Sequence, residues 1–283
     1  IQIQREFEKD NLTDEGIQRC FPTDTGFSSG FIPIRNQDYQ DLKLWAGSSV
    51  VLDVESNNLL HYQEGRKRIQ IASLTKLMTA ILAMEKISDL EKEVVVIPQG
   101  ATLLPGTVVG CPRSGYCVAN RMYSGEKVYA MDLLKAMLMN SANDAAYSLA
   151  VHIAGSEEKF VEMMNNKAHS MGLKDTSFCT ASGLEIDGQE DQCYSTAYDI
   201  ARIGAVSMQN DEIWKIMRIP EAQFYSTNGS YMHQLKNTDL LLDQMPNCLG
   251  GKTGFTPLAG KSLLLGVSDP SGKHKIIAVI LND

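Results

Sequence analysis

The chain has no apolar run approaching the ~18 residues of a membrane-crossing helix. It also lacks a basic stripe: 26 Lys and Arg stand against 34 Asp and Glu, a net charge of −8, so nucleic acid is not an expected partner. Histidine is scarce, with five in 283 residues. None stands at a metal-ligand spacing, and there is no C-x-x-C pair, so neither a metal nor another cofactor is expected. No repeat and no low-complexity tract is present, which argues against a solenoid or a fibrous chain. The opening residues, Ile1-Gln2-Ile3-Gln4-Arg5, do not have the layout of a secretory leader. If the protein is exported, that leader has already been removed.

What remains is ordinary globular composition, 43% hydrophobic and 21% charged, enough for a sizeable core. The length allows one large domain or two small ones. Residues 1–46 are polar and irregular and read as an arm with no assigned function; residues 47–283 carry the regular patterning. Ser48 to Val54 and Leu59 to Tyr62, separated by an Asn-rich turn, predict a β-hairpin. Helical spacing is predicted after Ser73, then over Ala130 to Met139, Ala142 to Ile153, Ser156 to Met171 and Ser195 to Met208. Gly250 to Thr256, Lys261 to Val267 and Lys275 to Leu281 are β-like. Strands at both ends with helices between predict an α+β fold on an antiparallel sheet. Glu157, Glu158 and Glu162 read as a solvated helix face.

Six cysteines permit three disulfides. The turn-rich loop Cys111 to Cys117 and the Gly- and Asp-rich loop Cys179 to Cys193 suggest two of them. Cys20 and Cys248 are left as a third pair. The alternative is six thiols in a reducing compartment.

The stretch Ala72-Ser73-Leu74-Thr75-Lys76 organises the chain. Ser73 is of the type that caps a helix N-terminus. Ser and Lys three apart share one helical face, and a lysine serves as base to a serine once its charge is suppressed. S-x-x-K alone is weak. It gains weight from Ser141-Ala142-Asn143 in a turn between helices and Lys252-Thr253-Gly254 on a strand, 68 and then 111 residues further on. S-x-x-K, S-D-N and K-T-G in that order mark penicillin-binding proteins and class A β-lactamases.

On these three motifs, and on Ser141 to Ala146, Phe160 to Asn165 with Lys167-Ala168, and Lys252 to Thr256 with Ala259-Gly260, the chain resembles the serine D-Ala-D-Ala carboxypeptidases. These are the low-molecular-mass penicillin-binding proteins of peptidase family S11. The resemblance covers about residues 46–283. It implies a helical cluster packed on a five-stranded antiparallel sheet and an extracytoplasmic protein. It also implies roles. Ser73 attacks the carbonyl between the two terminal D-alanines of a peptidoglycan stem peptide and Lys76 takes its proton. Lys252 helps keep Lys76 neutral and holds Ser141, which relays a proton to the departing D-Ala. Asn143 binds Lys76 and the substrate backbone. Thr253, within the substrate-binding run Thr253, Gly254, Phe255 and Thr256, contacts the terminal carboxylate. The N–H groups of Ser73 and Phe255 form an oxyanion hole. β-Lactams are expected as covalent inhibitors at Ser73. Family members often continue beyond their last strand into a helix, and sometimes a membrane anchor, so peripheral membrane association would depend on a segment outside these residues.

Two other functions compete. A class A-like β-lactamase needs a Glu-x-x-Leu-Asn element, and the nearest acidic stretch, Glu185 to Asp191, lacks it. A non-catalytic wall-binding protein on the same fold would have no need of the three motifs.

Overall fold

Hydrophobic alternation joins the first and last strands of the described residues in one sheet. The computed structural model describes residues 44–111, 117, 119–189 and 191–283. Strand β1 (Ser48–Asp53) turns back into β2 (Leu59–Gln63). Much later come β7 (Cys248–Thr256), β8 (Gly260–Ser268) and β9 (Lys275–Leu281). The order is β2-β1-β9-β8-β7, antiparallel throughout, with Ser48 to Asp53 paired against Leu281 to Ile276. In β9 every second residue, Ile277, Val279 and Leu281, is buried, as a period of two requires. β7 is an edge strand, and its free side borders the site described below.

A 3-10 turn, Ala72–Thr75, leads into α1 (Lys76–Lys86). Residues 76–83 of α1 are all buried, the condition of a helix enclosed on every side. It packs against α2 (Ala130–Met139), α3 (Asn143–Ala154), α4 (Glu157–Ser170) and α5 (Ala197–Ser207). Enclosing a side chain such as Leu77 is worth about 1.5–3 kcal/mol. α5 also lies on β1, β8 and β9, while α6 (Asp211–Met217) lies on β7. Two small ribbons complete the described fold: β3 (Val94–Val96) with β4 (Lys127–Tyr129), and β5 (Glu221–Tyr225) with β6 (Met232–Lys236).

The expected α+β architecture and its five-stranded antiparallel sheet are present, with the β1–β2 hairpin, the helices and the C-terminal strands near their predicted bounds. The cap assigned to Ser73 is not. Ser73 lies inside the 3-10 turn, α1 begins at Lys76, and no side chain caps either element. The Ser73 hydroxyl is used elsewhere. α6 and the β5–β6 ribbon were not anticipated: α6 has seven residues, too few for a helical period to stand out. The solvated face also needs correction. Glu158 and Glu162 are exposed, but Glu157 accepts from the Ala181 amide at 2.9 Å, and burial pushes its carboxyl above the ordinary range.

Cys111–Cys117 and Cys179–Cys193 are bonded. The third pair is not formed: Cys248 is a free thiol buried at the start of β7, and burial pushes its pKa up. Cys20, like nearly all of the 1–46 arm and the interior of the Cys111–Cys117 loop, lies outside the described residues.

Candidate active site

Three elements converge on Ser73. The first is its own turn. Ala72, just before it, has a left-handed backbone, φ +46°, although it is not glycine. Such a conformation is uncommon for a residue with a Cβ and persists where its surroundings enforce it. Gly183 supplies part of that enforcement: a Cβ there would lie 1.9 Å from the Ala72 carbonyl oxygen. Gly254 on β7 approaches from the other side, its notional Cβ 3.4 Å from the Ser73 nitrogen. Strand and nucleophile turn are thus in direct backbone contact, which a side chain at either glycine would disturb.

Lys76, the first residue of α1, is fully buried. Its ammonium donates to Ser73 Oγ at 2.8 Å, to Asn143 Oδ1 at 2.8 Å and to the Ser182 carbonyl at 2.7 Å. The buried nitrogen thus has a polar partner in each of its three directions; two of them, Asn143 Oδ1 and Ser182 O, can only accept, while the Ser73 hydroxyl can donate as well.

The second element is the turn between α2 and α3. Ser141 is left-handed, φ +58°, and almost wholly buried. Neither Ser141 nor Asn143 caps α3, whose start has no side-chain cap bond. Their side chains go to lysines instead. Lys252 on β7, 1% exposed, donates to Ser141 Oγ at 2.9 Å and to the Thr253 carbonyl at 2.9 Å. Asn143 Nδ2 donates to Pro105 O at 2.9 Å, which directs Oδ1 at Lys76.

The third element is β7. Thr253 Oγ1 is 2.7 Å from Thr238 Oγ1, and the Thr238 amide donates to Met139 O at the end of α2. Gly254 is buried, Thr256 is half-buried and accepts from Ala259 N, and Phe255 is 41% exposed.

Ser73, Lys76 and Asn143 therefore form one hydrogen-bonded group and Ser141 and Lys252 another, joined through the backbone of the 141–143 turn, with Thr253 next to Lys252 and Gly254 close to the Ser73 nitrogen. Sequence reasoning missed Ser182, Pro105, Gly183 and Thr238. The first two act through backbone carbonyls, which leave no trace in residue type. Thr238 lies in the polar triplet Asn237-Thr238-Asp239 after β6, a turn signal with no spacing to mark it.

The geometry agrees with what the chain is similar to. A D-alanyl-D-alanine carboxypeptidase family model, peptidase S11, matches residues 35–283. D-alanyl-D-alanine carboxypeptidase DacD of Escherichia coli is 30% identical over 270 residues, 92% of this chain and 63% of DacD. DacB2 of Mycobacterium tuberculosis is 32% identical over 82% of this chain and 73% of its own length. The chain spans less than two thirds of DacD. Among solved structures, a D-alanyl-D-alanine carboxypeptidase from M. tuberculosis superposes with a TM-score of 0.73 at 29% identity, covering 89% of this chain and 85% of that one. Penicillin-Binding Protein D2 of Listeria monocytogenes, in its ampicillin-bound form, gives 0.71 at 29% identity over 86% and 92%. With the family's model matching most of the sequence and its fold matching the sheet and helices, the chain belongs to peptidase family S11, the D-alanyl-D-alanine carboxypeptidases.

Proposed function

We propose that this protein is a serine D,D-carboxypeptidase that removes the terminal D-alanine from peptidoglycan stem peptides outside the cytoplasmic membrane. One observation carries the reading: two buried lysines, Lys76 and Lys252, each reach a serine hydroxyl, Ser73 and Ser141, and the 141–143 turn contacts both lysines. A globular protein of this size has no structural need for two enclosed lysine side chains, since apolar side chains of similar volume are often neutral or stabilising in the place of buried charges. Residues 47–283 form the catalytic domain in this reading, and residues 1–46 are given no role.

Ser73 Oγ adds to the carbonyl carbon between the two D-alanines while the Lys76 amine, in its neutral form, takes the hydroxyl proton. The oxygen that becomes negative lies between the N–H groups of Ser73 and Phe255; the approach of Gly254 to the Ser73 nitrogen supports that placement. Such a donor is typically worth ~10²–10³ in rate. The carbon–nitrogen bond then breaks, and D-alanine leaves with a proton relayed through Ser141 under the field of Lys252. Asn143 holds Lys76 and the peptide backbone. Thr253 receives the terminal carboxylate, with Thr256 beside it on the same strand. Water finally releases the shortened peptide from Ser73.

β-Lactams enter the proposal as acylating mimics of the D-Ala-D-Ala end. Penicillin-Binding Protein D2, 29% identical, has been captured with ampicillin and with cefotaxime. The test is a diacetylated tripeptide ending in D-Ala-D-Ala. The wild type is expected to release free D-alanine and Ser73→Ala none. Release unaffected by Ser73→Ala would overturn the assignment.

A further inference from the structure

Next to Asn143 stands a carboxylate that the mechanism above does not use. Asp144 is 3% exposed, and both of its oxygens accept from the Val109 amide at 3.1 Å. Oδ1 also accepts from Ala145 N at 2.9 Å. Burial pushes its pKa up to about 6, against the pull of those amides and of the positive field of Arg121, with His233 the other titratable group that feels its charge. Both oxygens act as acceptors, toward backbone N–H groups, in a place where charge is costly.

What that carboxyl group holds is the segment 105–109. Three residues of the motif turn grip the same segment. Asn140 Nδ2 donates to Val108 O at 3.3 Å, the Asn143 amide donates to Thr107 O at 2.8 Å, and Asp144 takes the Val109 N–H. The segment answers through one atom: Pro105 O accepts from Asn143 Nδ2 at 2.9 Å. A side-chain amide has a donor end and an acceptor end. With its donor end fixed on Pro105, Asn143 must present its acceptor end to Lys76. If the segment drifts, the amide is free to rotate and Lys76 loses the acceptor that aims it at Ser73.

We infer that Asp144 is a positioning residue for the Ser73–Lys76 pair, acting through the Val109 amide and the Pro105 carbonyl to fix the orientation of the Asn143 side chain. The inference deepens the proposed acyl-enzyme chemistry and rests on it.

The test is a double-mutant cycle on the rate of acylation by a fluorescent penicillin. Asp144→Asn and Asp144→Ser are made in the wild type and on the Asn143→Ala background, and whichever variant melts cooperatively is read. In the wild-type background the rate is expected to fall between about tenfold and 10²-fold, the size of effect that a small misplacement of a catalytic group produces, with the concentration for half-maximal rate unchanged. On the Asn143→Ala background the same substitution is expected to cost less than about twofold. Equal losses in both backgrounds, or a folded variant that acylates at the wild-type rate, would overturn the inference while leaving the acyl-enzyme reading intact. A wild type that is not labelled at all would overturn the underlying reading as well.

Discussion

Ser141 and Asn143 stand two residues apart on one turn, and each accepts from a different buried lysine: Ser141 from Lys252 at 2.9 Å, Asn143 from Lys76 at 2.8 Å. The turn spaces the two amines apart and fixes each against its serine. Removing the Asn143 amide leaves Lys76 one acceptor short. Asn143→Ala is expected to lower the penicillin acylation rate by about 10²-fold and stability by about 1.5–3 kcal/mol. Stopped-flow labelling and urea unfolding check the two separately. A variant with normal acylation would show that Lys76 needs no such guide.

Gly183 has no room for a side chain: a Cβ would fall 1.9 Å from the Ala72 carbonyl, and its φ is +77°. Gly183→Ala is expected to lose at least ~1–3 kcal/mol through forced displacement, and acylation at Ser73 should fall with it. Thermal melting and labelling of the soluble fraction are the readouts. Undiminished stability would mean that the Ala72 turn is not braced there.

Thr238 reaches Thr253 at 2.7 Å. If Thr253 receives the substrate carboxylate, Thr238 orients its hydroxyl. Thr238→Val should raise KM for the D-Ala-D-Ala peptide by roughly tenfold, about the value of one hydrogen bond to a charged group, with kcat changed far less. Steady-state kinetics distinguish this from a general loss, in which kcat would fall as much as KM rises.

Much of this was legible in the chain. The period of β9, the helical spacing of the apolar residues of α1 and the hairpin at Asn57-Asn58 are local features, written where they act. So are the five residues that the fold brings together around Ser73 and Ser141, since they are side chains of recognisable type and order. Other features were not legible. The Ser182 and Pro105 carbonyls are indistinguishable from any other backbone oxygen. The left-handed turn at Ala72 is enforced by Gly183, more than one hundred residues away. The short helix α6 lacks the length to show a period. The buried Cys248 thiol could not be told from a bridged cysteine by counting.

The buried pair His233 and Glu126 was also invisible, because its partners are separated by 107 residues. His233 Nε2 lies 2.8 Å from Glu126 Oε1, Ser226 donates to the same oxygen, and His233 Nδ1 faces Asn120 O at 2.9 Å. The cluster ties the β5–β6 ribbon to the start of β4. Burial pushes the Glu126 carboxyl up, but the bonds from His233, Ser226 and the Tyr123 amide outweigh it and leave its pKa low. Burial pushes His233 down, but Glu126 and Asn120 O outweigh it and leave its pKa raised. A lowered acid gives stability that is lost as pH falls below its ordinary value of about 4.5, and a raised base gives stability that is lost as pH rises above about 6.5. The pair's contribution should therefore be largest between those values. Melting curves of wild type and His233→Gln across pH 4–9 are expected to differ most between about pH 4.5 and 6.5, and a constant difference would contradict the ion pair.

No Glu-x-x-Leu-Asn element is present to activate water against a β-lactam ester, and Glu185 is engaged with the Leu258 amide at 3.1 Å. Release of bound penicillin should be slower than acylation by orders of magnitude. A chase of the labelled protein with unlabelled drug measures it, and rapid turnover would favour a β-lactamase.

The most direct measurement is to locate the acylated residue. Tryptic mapping after brief exposure to ampicillin should find the drug's mass on the peptide Ile69 to Lys76, which contains Ser73, and no adduct in Ser73→Ala. An adduct on the peptide that carries Ser141, or none anywhere in a folded wild type, would contradict Ser73 as the nucleophile.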